Sequence, residues 1–144
     1  MIHVYCDIQN TFDILSDEEV KKLIELLNKL DTDYVKFSFI SSANINYVIM
    51  YVNRLEKFIS GKVHMGMHFG YDKYINEKKE IHNITCEYMK KDKMEYYLEP
   101  NTKEIIYIDD HPDCNKIEGI KFTLIKKENE RDFAIKGLEK KLNI

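Results

Sequence analysis

The sequence lacks the features that mark several large classes of protein. Its 144 residues include only three cysteines, widely spaced and without a CxxC pair, which indicates neither a disulfide framework nor a structural zinc site. It has no basic leader and no apolar run that approaches the ~20 residues needed to cross a bilayer. We therefore expect a soluble, cytoplasmic protein that does not enter a membrane.

An excess of charge of one sign is also missing. The formal net charge of -3 argues against a dominant nucleic-acid-binding surface, which would be basic overall, although local basic patches remain compatible with it. Internal repeats, low-complexity segments and linkers are absent from the sequence. Because 44% of the residues are hydrophobic, the chain can bury one core. We expect a single domain over residues 1–144.

The sequence does contain an alternation of strand and helix patterns. Short β-rich runs occur at 2–6, 34–40, 62–67, 104–108 and 120–125. Helical patterns begin at the capping-box sequence Ser16-Asp17-Glu18-Glu19, near Ile45 and near Ile81, and a last one covers about 129–142. This alternation predicts an α/β fold, with a single Rossmann-like, doubly wound parallel sheet of about five strands and helices on both faces.

Polar residues follow three of these strands, at the end of the sheet where ligands bind in such folds. Asp7 follows the first strand, Ser41 the second, and the pair Asp109-Asp110 the fourth. An Asp after a strand often forms a turn, and Ser41-Ser42 is also a good helix N-cap. Two adjacent carboxylates at the end of a buried strand, however, repel one another unless a cation or donors neutralise them. The set therefore predicts a ligand site at this end of the sheet in which a cation or hydrogen-bond donors neutralise the acidic pair.

These residues stand in four segments: V-Y-C-Asp7-Ile8-Gln9-Asn10-Thr11, F-S-F-I-Ser41, Lys78-Lys79-Glu80-Ile81 and I-I-Y-I-Asp109-Asp110. In this order they resemble the motifs of the haloacid dehalogenase-like (HAD) superfamily, which are hhhhDxDx[TV], a strand ending in Ser or Thr, a Lys at the start of a helix, and hhhhDD. The resemblance covers most of the chain and depends on order and placement. Its lysine is assigned to Lys78 or Lys79, although Lys73, Lys90 and Lys91 lie in the same window.

The resemblance implies an Mg²⁺-dependent phosphatase site in which Asp7 attacks phosphorus to form an aspartyl-phosphate. The implied catalytic residues are Asp7, Gln9, Ser41 and Lys78. The implied Mg²⁺ ligands are Asp7, the backbone carbonyl of Gln9, Asp109, Asp110 and, as an outer ligand, Asp113, with Asn115 as the alternative. The residues implied to bind the phosphoryl oxygens are Thr11, Ser41, Ser42, Lys78 and Lys79.

One position departs from the family pattern. Two residues after the nucleophile, the phosphatases carry an Asp that protonates the leaving oxygen, whereas this chain has Gln9. An amide cannot exchange that proton, and general acid-base catalysis is worth ~10²–10⁴-fold. Two explanations stay open: a slow hydrolase with another proton source, such as His111, Asp13 or the substrate, or a relative that only binds a phosphorylated ligand.

The spacing of the motifs leaves no room for a cap domain, since 34 positions separate Asp7 from Ser41 and 37 separate Ser41 from Lys78. Capless members of the family have open sites, so the resemblance and the aromatic, basic segment 68–79 together indicate a phosphorylated nucleotide or nucleic-acid end as the ligand. In a homo-oligomer, a partner subunit would cover such a site in place of a cap domain. A receiver domain would need its acidic pair after the first strand, and a purely structural module would leave Asp109-Asp110 unexplained.

Overall fold

The computed structural model describes residues 1–29, 34–41, 50, 67–69, 90–96, 98–127 and 129–144. The strands are β1 (Ile2–Asp7), β2 (Val35–Ile40), the three-residue β3 (Met67–Phe69), β4 (Glu104–Asp109) and β5 (Lys121–Lys126). The helices in these ranges are α1 (Asp17–Asn28), α2 (Lys90–Tyr96) and α3 (Phe133–Leu142). The strands lie in the order β3-β2-β1-β4-β5, and every pairing between them is parallel. The predicted α/β fold with a parallel sheet is confirmed.

The central strand β1 and its neighbour β4 are buried on both of their faces. In β1 every residue from His3 to Asp7 is buried, and in β4 the whole sequence EIIYID is buried. A strand that is covered on both sides has a continuous apolar sequence rather than an alternation of polar and apolar residues. This explains why 104–108 is the clearest strand in the sequence.

Side chains alternate between the faces of a strand, and they form one apolar cluster on each side of the sheet. On one side, Val4 and Cys6 of β1 pack with residues of α1 and α3 such as Ile24 and Leu138. On the other side, Tyr5 and Tyr107 belong to a cluster that includes Met94 of α2. Helices therefore contribute to the core on both sides of the sheet.

Helix α1 begins with the predicted capping box. The backbone N–H of Ser16 donates to Glu19 Oε1 at 2.9 Å, and the backbone N–H of Glu19 donates to Ser16 Oγ at 3.2 Å. Two N–H groups that have no partner within the helix are satisfied in this way. The first apolar residues of the predicted face, Val20, Leu23 and Ile24, are all buried, so this prediction is confirmed.

Other boundaries differ from the prediction. The last helix begins at Phe133 rather than near 129, because a bend at residue 129 and a turn at 131–132 precede it. Within the predicted third strand, Met67 belongs to β3, which continues to Phe69, while 62–66 lie outside the described residues. Of the helix predicted from near Ile45, only residue 50 is described, and it is helical; the helix predicted near Ile81 lies outside the described residues. None of the helices in the described ranges combines the length and apolar character that a bilayer-spanning helix needs.

The order of the strands reverses next to β1. From β1 the chain adds β2 and β3 on one side, and it then places β4 and β5 on the other side. In open α/β sheets, a reversal of this kind leaves a crevice at the carboxyl ends of the two strands that flank it. Asp7 ends β1 and Asp109 ends β4, so both lie at this point.

Candidate functional site

Three carboxylates meet at the carboxyl ends of β1 and β4. One oxygen from each of Asp7, Asp109 and Asp110 lies within 4.8 Å of the others. The register pairs Cys6 with Ile108, which places the residues that follow them side by side. Asp7 is 2% exposed and Asp109 is fully buried, whereas Asp110 is half-buried. Carboxylates this close and this buried need compensating charge or hydrogen bonds.

Lys90 supplies positive charge inside this cluster. Its ammonium lies 2.8 Å from Asp7 Oδ1 and 2.6 Å from Asp109 Oδ2, and its side chain is only 13% exposed. Lys90 is the first residue of α2, which packs through Met94 against the same side of the sheet as Tyr107. The short helix therefore presents its first side chain to the ends of β1 and β4.

Asp109 is satisfied by further donors. The hydroxyl of Tyr107 donates to Asp109 Oδ2 at 2.5 Å, and the backbone N–H of His111 donates to Asp109 Oδ1 at 2.9 Å. Tyr107 lies two residues before Asp109 on β4, so both side chains point to the same side of the sheet. Asp109 thus accepts from Lys90, Tyr107 and His111 and is held in one position.

A tight turn over Ile8–Phe12 brings Thr11 back to the cluster. The N–H of Asp13 donates to the carbonyl of Ile8 at 2.9 Å, and Asn10 adopts a left-handed φ of 57°. The buried hydroxyl of Thr11 lies 3.3 Å from Asp7 Oδ2 and 3.4 Å from Asp110 Oδ1. Its single proton can be donated to either carboxylate. The side chain of Gln9 is exposed on the outside of this turn.

The environment of the site shifts the pKa values of Asp7 and Asp109 in opposite directions. Burial raises the pKa of Asp7 to about 8, with the charge of Asp109 and a hydrogen bond with Asp110 acting in the same direction against the charge of Lys90. Burial also acts to raise the pKa of Asp109, but the charge of Lys90 and the hydrogen bonds it accepts lower it overall. The pKa of Lys90 is raised, since the two carboxylates outweigh the effect of its burial. The site therefore favours the protonated form of Asp7 and the ionised form of Asp109.

The cluster has the donor set of a hard divalent cation. All of its candidate ligand atoms are carboxylate oxygens, which Mg²⁺ and Ca²⁺ prefer. When the three carboxylates are ionised, the ammonium of Lys90 offsets one of their charges and leaves two formal negative charges. A divalent ion would balance that remainder and would displace the proton from Asp7.

The structure brings together four of the predicted residues, namely Asp7, Thr11, Asp109 and Asp110. Ser41 is buried at the end of β2, directly after the residue that pairs with Asp7. Asp113 is not part of the carboxylate cluster: its Oδ2 accepts the backbone N–H of Lys90 at 2.8 Å, and its Oδ1 lies 3.2 Å from the Tyr107 hydroxyl. Ser42, Lys78 and Lys79 lie outside the described residues.

Sequence reasoning missed the roles of Lys90 and Tyr107. Lys90 lies in the window where a motif lysine is expected, but several other lysines share that window and nothing local distinguishes it. Tyr107 interrupts the apolar run of β4 and precedes the acidic pair by two residues. The position of Tyr107 could have indicated its contact with Asp109, because residues two apart on a strand point to the same face and the tyrosine carries a hydroxyl.

Neither a protein-family model, nor a curated protein, nor a solved structure matches this chain. The chemistry of the site has to be inferred from its own geometry.

Proposed function

We propose that the protein is an Mg²⁺-dependent phosphohydrolase of the HAD type, with Asp7 as its nucleophile. The observation that carries the proposal is the position of the Lys90 ammonium between Asp7 and Asp109, with Asp110 beside them, at the ends of adjacent parallel strands. The resemblance implies compensating positive charge at this place, and Lys90 provides it in the described part of the chain. The same proposal includes a Rossmann-like, doubly wound sheet of about five strands without a cap domain.

The residues at the site fit a magnesium ion. Asp7 and Asp110 would hold it, with Asp109 beside them and the backbone carbonyl of Gln9 as a further oxygen ligand. When bound, Mg²⁺ would screen the charge of a phosphoryl group from the attacking carboxylate. It would also keep Asp7 ionised, which the nucleophile requires and which burial alone opposes.

The chain's own residues have distinct roles in the proposed reaction. An oxygen of Asp7 forms a bond to phosphorus while the bond to the leaving oxygen breaks, and water then hydrolyses the aspartyl-phosphate to restore the carboxylate. Lys90 stabilises negative charge on the phosphoryl oxygens, since its ammonium lies against the nucleophile. The hydroxyl of Thr11 is buried next to Asp7 Oδ2 and would orient the phosphoryl group together with Ser41.

A phosphorylated nucleotide or nucleic-acid end is the proposed substrate class. Gln9, Asn10 and His111, which flank the carboxylates in the sequence, are all exposed. This openness on the described side of the site suits a phosphoryl group at the end of a large molecule.

Gln9 supports a second candidate function, the binding of such a ligand without turnover. Its exposed amide occupies the place where the phosphatases have a proton-donating carboxylate. Asp13 is already engaged by the backbone N–H of Asn10 at 2.7 Å. A site that binds the phosphoryl group but lacks a proton donor would hold its ligand rather than cleave it.

The two candidates are separated by measuring binding and phosphate release on the same compounds. The panel contains phosphorylated nucleotides and oligonucleotides with 5′- or 3′-terminal phosphates, each with and without Mg²⁺. For a hydrolase we expect Mg²⁺-dependent release by the wild type and none by Asp7→Asn, while Asp92→Asn, on the exposed side of α2, stays at the wild-type rate. Binding without release supports the second candidate. The absence of both contradicts the proposed site.

A further inference from the structure

We infer that Tyr107 and Asp113 are positioning residues that hold Lys90 between the two strand-end carboxylates. Neither residue has a role in the proposed reaction. The inference rests on the proposed function only for its kinetic consequences, because the position of Lys90 can be measured without any substrate.

The four residues form a closed ring of contacts. The backbone N–H of Lys90 donates to Asp113 Oδ2 at 2.8 Å, and Asp113 Oδ1 lies 3.2 Å from the Tyr107 hydroxyl. That hydroxyl donates to Asp109 Oδ2 at 2.5 Å, and the Lys90 ammonium lies 2.6 Å from the same oxygen. Lys90 is therefore fixed at both ends: its backbone is fixed by Asp113, and its ammonium is fixed by Asp109 and Asp7.

Among the described contacts, the bond from the backbone of Lys90 to Asp113 is the one that holds the start of α2. The described helix has seven residues, and a helix of that length depends on contacts with the rest of the protein. Of its described side chains, Met94 alone is fully buried. A lysine has a flexible four-carbon stem, so its ammonium reaches one defined position only if the backbone that carries it is held. The bond from Lys90 N–H to Asp113 supplies that restraint.

The hydrogen bonds of the Tyr107 hydroxyl determine which side chains can replace Asp113. Tyr107 has one hydroxyl proton and two carboxylate neighbours, and the contact to Asp109 is much the shorter. We therefore assign the proton to the shorter contact with Asp109, which leaves the 3.2 Å contact between the Tyr107 oxygen and Asp113 Oδ1 without a donor of its own. An amide at position 113 would satisfy both neighbours, since its carbonyl can accept from Lys90 N–H and its NH₂ can donate to the Tyr107 oxygen.

Substitution of Asp113 by Asn distinguishes a positioning role of Asp113 from a metal-binding role. If Asp113 is an outer metal ligand, as the family resemblance implies, then Asp113→Asn weakens Mg²⁺ binding. If Asp113 positions Lys90, Asp113→Asn behaves as the wild type, and only Asp113→Ala, which cannot accept the N–H, disturbs the site. Tyr107→Phe tests the other half of the ring, because it removes the hydroxyl and keeps the buried ring in place.

The direct test is the reactivity of Lys90 toward an amine-labelling reagent, followed by peptide mass spectrometry. In the wild type and in Asp113→Asn we expect Lys90 to be protected. In Asp113→Ala and Tyr107→Phe we expect its labelling to increase several-fold. Lys22 on α1 is the internal reference, because its side chain is 58% exposed, lies outside α2 and should label equally in all four proteins. Equal protection of Lys90 in every variant would overturn the inference, and so would labelling of Asp113→Asn at the rate of Asp113→Ala.

Kinetics on a substrate from the panel provide the second readout. A misplacement of about 1 Å can cost ~10²-fold in rate, so we expect kcat to fall by ~10–100-fold in Asp113→Ala and Tyr107→Phe, with KM unchanged and Asp113→Asn close to the wild type. A rise in KM with constant kcat would contradict a positioning role. If the labelling pattern holds and the wild type releases no phosphate, the proposed function fails while the inference about Lys90 stands.

Discussion

The ammonium of Lys90 contacts the carboxylate of Asp7 at 2.8 Å, although α2 and β1 are not neighbours in the sequence. Both groups are largely withdrawn from water, and a charge in that situation is tolerated only when its partner stays in place. The charge balance of the site therefore depends on a residue from outside the two strands that carry the carboxylates.

Replacing this lysine should destabilise the metal-free protein. In Lys90→Met the buried carboxylate of Asp109 loses its cation, and breaking a buried ion pair costs about 3–5 kcal/mol in the free energy of unfolding. Urea denaturation without divalent ions measures this cost. Lys91→Met is the matched control, since the pair of Lys91 with Glu95 is half-exposed and should change the stability by less than about 1 kcal/mol. Equal effects of the two substitutions would contradict the charge-balance argument.

Magnesium should stabilise the folded protein through the same cluster. An ion that binds only the folded state adds ~2.7 kcal/mol at a concentration of 100 Kd, which thermal denaturation detects as a rise in Tm. Asp110→Asn should abolish this rise, whereas Glu118→Gln, in the exposed part of the loop that precedes β5, should retain it. Because burial raises the pKa of Asp7 to about 8, Mg²⁺ binding should also release protons, which appears in calorimetry as an enthalpy that depends on the buffer.

The pH dependence of stability should reveal the raised pKa of Asp7. Its pKa in the folded protein is about 8, against an ordinary value of 3.8. Between these values the folded state keeps a proton that the unfolded chain has released, so the stability of the metal-free protein falls as the pH rises toward 8. The lowered pKa of Asp109 acts in the opposite direction, but its contribution is lost only below its ordinary value of 3.8.

The measurement compares wild type and Asp7→Asn by urea denaturation at several pH values from 5 to 9 without divalent ions. Asp7→Asn cannot bind this proton, so its advantage over the wild type should grow steadily as the pH increases to 8 and then level off. The difference between the two proteins cancels groups that titrate in both. Parallel pH curves would show that Asp7 has an ordinary pKa.

Substitution of Gln9 should reveal whether the site lacks only its proton donor. If the protein is a slow hydrolase, Gln9→Asp restores a carboxylate at the family position and should raise the rate of phosphate release by ~10²-fold or more. Asp7→Asn should abolish release in either background. If the site serves only to bind, Gln9→Asp adds negative charge beside the phosphate and should weaken affinity without a gain in turnover. A wild type that is fast and a Gln9→Asp variant that is slower would contradict both candidates.

Local patterns were sufficient to predict the main strands and α1. The strand β4 is buried on both faces and its apolar run shows it, and the start of α1 is encoded in two side chains, Ser16 and Glu19, that bond within one turn. The convergence of Asp7 with Asp109 and Asp110 could also be predicted, because parallel strands place their carboxyl ends together.

The lysine could not be predicted in the same way. The sequence of α2, KKDKMEY, contains little apolar periodicity, and the contact of Lys90 with Asp7 depends on how distant parts of the chain pack. The contact of Tyr107 with the site could not be predicted for a different reason. An aromatic residue within a buried strand is normally a core residue, and only the facing positions of Asp109 and Asp113 turn its hydroxyl into a site contact.

The central position of β1 has a consequence for how the site can open. The strand β1 pairs with β2 on one side and with β4 on the other. Each of its paired amide hydrogens can exchange with solvent only when the hydrogen bonds to the strand that it faces are broken. Backbone amides in such a strand exchange through the largest, nearly global opening events. We therefore expect the amides of β1, which carries Asp7, to exchange more slowly than those of α2, of which seven residues are described and which carries Lys90. Any loosening of the site at equilibrium should begin with departure of the lysine, while the nucleophile remains in place.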